Sequence, residues 1–170
     1  MKNLGKQTRV TKKVLNESSK IKGKGLKFIL NALKYIKENY KKVDAGSYGI
    51  VPRERLVDEI IKSKVMTGCT DYAHLFISLC KSRKIPAIYL EALNNEWIKN
   101  PDLDSIRGHI FVEIEIEGIK LHIDPTHGII HTQKRFNNYS VIEKGEDFLS
   151  IFPNQEINKK RIKEFLDNNI

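Results

Sequence analysis

Between His109 and Asp124 the chain alternates apolar and polar residues, turns at Glu117-Gly118, and alternates again. Ile110, Val112, Ile114 and Ile116 are interleaved with His109, Phe111, Glu113 and Glu115, which predicts a strand with one apolar face. Glu117-Gly118 predicts a two-residue hairpin turn, and Ile119 to Asp124 the returning strand. The turn also sets the register. Ile116 then faces Ile119 and Phe111 faces Asp124, so His109 and Asp124 share the polar face as diagonal neighbours, about 7–8 Å apart at the backbone. An imidazole–carboxylate hydrogen bond can span that separation.

Upstream the apolar period is helical. Leu26, Ile29, Leu30, Leu33, Ile36 and Tyr40 predict an amphipathic helix from Gly25 to about Tyr40. Lys41 to Val51 is expected to be a loop, with Pro52 opening the next helix and Leu56, Val57, Ile60 and Ile61 as its buried stripe. A third helix, Cys69 to Arg83, buries Ala73, Phe76, Ile77, Leu79 and Cys80, and Ile85 to Leu90 follows as a strand. Asn94 to Gly108 has no period and is expected to be a loop bordering a cleft. Tyr139 to Ile142 and Phe148 to Phe152 are expected as short strands, and Glu156 to Leu166 as a terminal helix. Helices followed by antiparallel strands imply an α+β fold.

The 170 residues are enough for one domain with a core of its own, without metal or disulfide staples. Charge divides the chain unevenly. Residues 1–27 hold nine Lys or Arg against Glu17 alone, and so carry eight of the nine net positive charges. Residues 1–24 are therefore expected to form a basic, flexible arm, and residues 25–170 a single domain. Such an arm could touch nucleic acid or an anionic membrane surface. It offers no aromatic residue to stack on bases and no continuous apolar run for a signal peptide or membrane span, so a solvated tail is the favoured reading.

Cys69 and Cys80 lie on one helix, about 16 Å apart at 1.5 Å per residue. That is far beyond the roughly 4.4–6.8 Å a disulfide requires. Two free thiols suit a reducing compartment, and the cytoplasm is expected. Cys80 fits a core position. Cys69 falls in the first turn, after Thr67-Gly68, either of which can cap the helix, and before Asp71. Unpaired helix-terminal N–H groups there stabilise a thiolate, and such thiols have pKa values of roughly 3.5–7.5.

Four segments then stand in order: Gly68-Cys69-Thr70-Asp71-Tyr72-Ala73 with Leu75-Phe76; Ile85-Pro86-Ala87; Gly108-His109 with Glu113; and Asp124-Pro125-Thr126. Together they resemble the transglutaminase-like superfamily of papain-like thiol enzymes, over roughly Leu26 to Gly128. The resemblance implies a nucleophile at the N-terminus of a central helix packed on an antiparallel sheet. It also implies Cys69 as nucleophile, His109 as general base and acid, and Asp124 as the residue that orients the histidine. Phe111 stands where the family often has tryptophan, a departure that touches the shape of the cleft.

The expected chemistry is acyl transfer from an amide through a thioester. A peptidase- or amidase-type hydrolase acting on a peptide or protein is favoured. Transglutaminase-type crosslinking, or a non-catalytic interaction module using its basic arm, are the alternatives. The Cys69 N–H is the expected first oxyanion donor, with Tyr48 and Asn16 as candidates for the second. His122, Asp124, His127 and His131 cluster in sequence, but their spacing fits no strong metal motif. They are read as solvated or supporting residues, and neither metal nor cofactor is expected. His74 points away from the Cys69 side of its helix.

Overall fold

The computed structural model describes residues 5–131 and 138–169. Helices α1 (Lys12–Ser19), α2 (Gly25–Asn39) and α3 (Val57–Ser63) precede α4 (Cys69–Ser82). A five-stranded antiparallel sheet follows, of β3 (Ala87–Asn94), β4 (Gly108–Ile116), β5 (Ile119–Asp124), β6 (Ile129–His131) and β7 (Tyr139–Gly145). Its spatial order is β6-β5-β4-β3-β7. A two-residue parallel pair, β1 (Lys41–Lys42) with β2 (Val65–Met66), stands apart from it. Short α5 (Asn95–Lys99), α6 (Phe148–Ile151) and the terminal α7 (Gln155–Asn169) complete the described chain. The α+β reading of the sequence holds.

Helix α4 is the centre of the molecule. Thr70 through Cys80 are all buried, because α1, α2 and α3 cover one side of it and β3 and β4 the other. Leu75, Phe76, Ile77 and Leu79 join Phe28, Ile36, Ile60, Tyr89, Ile110, Val112 and Ile114 in one core. Each such side chain contributes about 1.5–3 kcal/mol by leaving water. The hairpin follows the predicted register: Ile116 pairs with Ile119 and Val112 with Ile123. Glu117 and Gly118 both take positive φ, 52° and 77°, the conformation whose twist matches the flanking strands.

The segment expected to be an arm is folded from Gly5 onward; its first four residues lie outside the described ones. Gln7, Thr8, Val14, Glu17, Ser18 and Ile21 are buried. Arg83 at the end of α4 donates to Ser18 Oγ at 2.9 Å and to the Ser18 and Ile21 carbonyls at 2.7 and 3.1 Å. Glu17, the one acid beside the nine cations of residues 1–27, accepts from Lys20 and Lys64 at 2.8 Å each and from the Tyr35 hydroxyl. Charge counting hid a stripe at positions 14, 17, 18 and 21, which is helical spacing.

Other elements differ for local reasons. Pro52 does not open α3, because Arg53 after it adopts a left-handed φ of 70° that cannot continue a helix. The helix starts at Val57, with the Glu59 carboxylate accepting from Leu56 N at 2.6 Å. Phe148 to Phe152 is not a strand: Asp147 accepts from Ser150 N at 2.9 Å and caps the single turn of α6. Asn94 likewise caps α5 by accepting from Glu96 and Trp97 N–H, inside the expected loop. The stretch after Gly128 forms an edge strand, β6, paired through Ile123–Ile130.

Candidate functional site

Cys69 occupies the first position of α4, after the N-cap Gly68. The turn is held from below. Asp71 Oδ2 accepts from Thr67 N and Thr67 Oγ1 at 2.8 Å each and from Arg55 Nη1 at 2.7 Å. The Arg55 guanidinium also reaches the Val65 and Glu59 carbonyls, at 3.0 and 3.2 Å. Asp71 thus occupies the third helical position and reaches back across the cap. Cys69 is partly exposed, whereas the Cys80 thiol is fully buried and pushed far up by burial. Both cysteines are free.

His109, second residue of β4, sets its imidazole Nε2 2.9 Å from Asp124 Oδ2. The Cys69 side chain also acts on this imidazole, and since Nε2 is spent on Asp124, Nδ1 is the nitrogen left for sulfur. The structure therefore brings together Cys69, His109 and Asp124. α4 packs with the isoleucine face of β4, whereas the alternation puts His109 on the opposite face. β4 pairs with β3 without interruption from Leu93–Gly108 to Ala87–Ile114, so no bulge in that pairing re-aims His109. The register shift lies between β3 and β7, at Glu91/Ala92. Contact is made where the N-terminus of α4 meets the start of β4.

Asp124 is saturated with donors. Its Oδ2 also accepts from His127 Nδ1 at 2.8 Å, and its Oδ1 from the Thr126 and His127 N–H at 3.0 and 3.2 Å. Burial works against the charge, but the His109 and His127 hydrogen bonds outweigh it and hold the carboxyl at about 2. On His109 burial also opposes charge. The Asp124 hydrogen bond and then the Cys69 contact prevail, pushing the imidazole up to about 9. At neutral pH this is an imidazolium beside a sulfur.

His109 Nε2, Asp124 Oδ2 and His127 Nδ1 lie within 4.8 Å of one another, an arrangement the two hydrogen bonds to Asp124 account for. Of the four residues clustered in sequence, His122 turns instead to Glu113, at 3.1 Å. His131 meets the edge of Phe111, their rings 5.9 Å apart.

The His109 ring is flanked by Phe111 and Tyr139, at centroid distances of 4.9 and 5.6 Å. These rings, with His109, Asp124, Ile129 and His131, border an open cleft of about 340 Å³. Its lining comes from β4 to β7 and not from the Asn94–Gly108 segment. A larger hollow of about 440 Å³ beside Arg55 and Glu59 is lined by no cysteine or histidine. Tyr48 is 55% exposed and Asn16 is exposed on α1, and neither contacts Cys69 among the described interactions. Sequence reasoning missed three residues that interact electrostatically with Cys69 or His109: Arg53, Tyr89 and Glu91. Arg53 Nη1 donates to Glu91 Oε1 at 3.1 Å and Tyr89 OH to Glu91 Oε2 at 3.1 Å. The one available signal was Glu91, an acid within the otherwise apolar run Ala87–Leu93.

The sequence matches the Transglutaminase-like superfamily over residues 10–125. No curated protein matches it. Among solved structures, it is similar to a candidate cysteine protease from Cytophaga hutchinsonii, with a TM-score of 0.63 and 21% identity. That likeness covers 84% of this chain and 45% of the other, and speaks to the fold. A candidate protease from Parabacteroides distasonis shares 14% identity at a TM-score of 0.45, over 71% of this chain and 28% of its own, too little to carry an argument. The chain thus spans less than half the length of either structure.

Proposed function

The chain belongs to the transglutaminase-like superfamily, and from that premise we propose that it is a cysteine hydrolase that cleaves amide bonds in peptides or proteins. The observation that carries the proposal is the connected line Asp124–His109–Cys69 at the N-terminus of α4. Asp124 fixes the ring with Nε2 toward itself, so Nδ1 addresses the sulfur. The sulfur attacks the amide carbonyl carbon, and the carbonyl oxygen takes the negative charge. The Cys69 N–H, one of the unpaired amides of the first turn, donates to that oxygen. His109 gives its proton to the departing amine, the C–N bond breaks, and a thioester remains on Cys69. Water, losing a proton to His109, then adds to the thioester and releases the acid and the thiol.

Hydrolysis is favoured over transamidation because Cys69 is itself partly exposed, which leaves a thioester within reach of water. Two free thiols suit a reducing compartment, and we place the protein in the cytoplasm. The test is incubation with a labelled peptide library, with and without an added primary amine, using wild type and Cys69→Ala. Cleaved peptides ending in a new carboxylate, absent with Cys69→Ala, are the expected result. Amine-bearing products would shift the reading to crosslinking. No product, together with a Cys69 that iodoacetamide does not alkylate near pH 6, would make the protein a binding module.

A further inference from the structure

We propose that Arg53 is a positioning residue of the thiol site, its guanidinium tethered by Glu91 so that a fixed positive charge faces the Cys69 sulfur. The proposal rests on the cysteine-hydrolase reading and adds a residue to it. Arg53 stands in the turn before α3 at a φ of 70°, a conformation non-glycine residues adopt rarely and at a cost. The turn is fastened: Gln7 Nε2 donates to the Arg53 carbonyl at 2.7 Å. The guanidinium lies over the Phe148 ring, 5.1 Å from its centroid, and gives one N–H to Glu91 Oε1 at 3.1 Å. No other acceptor is found for it among the described residues, although a guanidinium offers five N–H groups.

Glu91 is placed between the two halves of the site. Through its other oxygen it holds the Tyr89 hydroxyl at 3.1 Å, and that hydroxyl also interacts with Thr70, the residue after Cys69. Its Oε1 lies 3.5 Å from where a Cβ on Gly108 would stand, the residue before His109. Cys69 interacts electrostatically with both Arg53 and Tyr89. A buried carboxylate here would by itself repel negative charge on sulfur. Arg53, 3.1 Å from Glu91 Oε1, balances that charge. The groups facing Cys69 are then His109 from β4, Tyr89 from β3 and Arg53 from the turn before α3, while Asp71 on α4 is turned back to Thr67 and Arg55.

The test needs no substrate. The rate of Cys69 alkylation by iodoacetamide is followed by mass spectrometry from pH 5 to 9 for wild type, Arg53→Gln, Arg53→Met and Arg53→Lys, with Cys80 as internal reference. Gln keeps a donor toward Glu91 and Met keeps a stem against Phe148, and both drop the charge; Lys keeps the charge. The uncharged variants should slow Cys69 alkylation about tenfold near pH 6, while Arg53→Lys stays near wild type. An uncharged variant that folds and keeps the wild-type profile overturns the proposal. So does equal loss in Lys and Gln, or failure of both uncharged variants to fold, since each marks a packing role. A wild-type Cys69 no more reactive than Cys80 would instead defeat the enzyme reading itself.

Discussion

Replacing His74 with glutamine should remove an acid sensitivity that the core itself creates. His74 is fully buried in α4, its ring 5.8 Å from that of Tyr89, and its Nε2 accepts from Phe148 N at 3.5 Å. Burial holds the imidazole neutral and lowers its pKa from 6.5 to about 3. The unfolded chain therefore binds a proton near pH 6.5 that the folded chain refuses until about pH 3, so stability falls as pH drops through that window. From pH 7 to pH 5 the loss for this one group is about 2 kcal/mol, using 1.36 kcal/mol per pKa unit. The carboxylates held low in the fold, Glu17, Glu113 and Asp124, lose their contributions only below their ordinary values of 4.5, 4.5 and 3.8. The interval from pH 7 to 5 is thus clear of them. The amide oxygen of a glutamine in this place can still accept from Phe148 N, and it does not titrate. Urea denaturation of both proteins at pH 7 and pH 5 should show wild type losing about 2 kcal/mol more than His74→Gln. Parallel losses would refute the assignment of acid sensitivity to this residue.

Three further outcomes are expected. Asp124→Asn should lower peptide turnover by roughly 10³–10⁴-fold, as loss of the orienting carboxylate does in other triads. Because the folded pKa of His109 is raised to about 9, the stabilising charge pair with Asp124 is complete below about pH 6.5 and fades as pH rises through 9. The stability gap between wild type and Asp124→Asn should narrow over that range, and wild-type turnover should decline there; a constant gap across pH 6 to 10 would contradict the pairing. Arg55→Met leaves Asp71, 1% exposed, without its 2.7 Å partner, and should cost about 3–5 kcal/mol, measurable by calorimetry. Val14→Asp places an unpaired charge in a fully buried position and should destabilise by several kcal/mol, whereas Leu15→Asp, at a side chain 50% exposed, should stay within about 0.5 kcal/mol. Equal effects at 14 and 15 would restore the view of this segment as a solvated arm.

What the sequence determined by itself is whatever depends on near neighbours. The 109–124 hairpin was legible because alternation and a two-residue turn define register locally. α2 and α4 were legible from their apolar spacing, and the pairing of His109 with Asp124 followed from counting across the turn. Side-chain signals that act over three residues, Asp147 to Ser150 and Asn94 to Trp97, were present too but fell in stretches without a period. Tertiary structure decided the rest. Whether α1 packs or floats depends on Arg83, 65 residues beyond Ser18, and no local count of charge contains that contact. How the N-terminus of α4 meets β4 depends on the way helix and sheet stack. The neighbours of Cys69, Arg53 on a turn and Glu91 on a strand, converge only in space. Electrostatic surroundings sum over distance and burial rather than over sequence, so they had to await the folded chain.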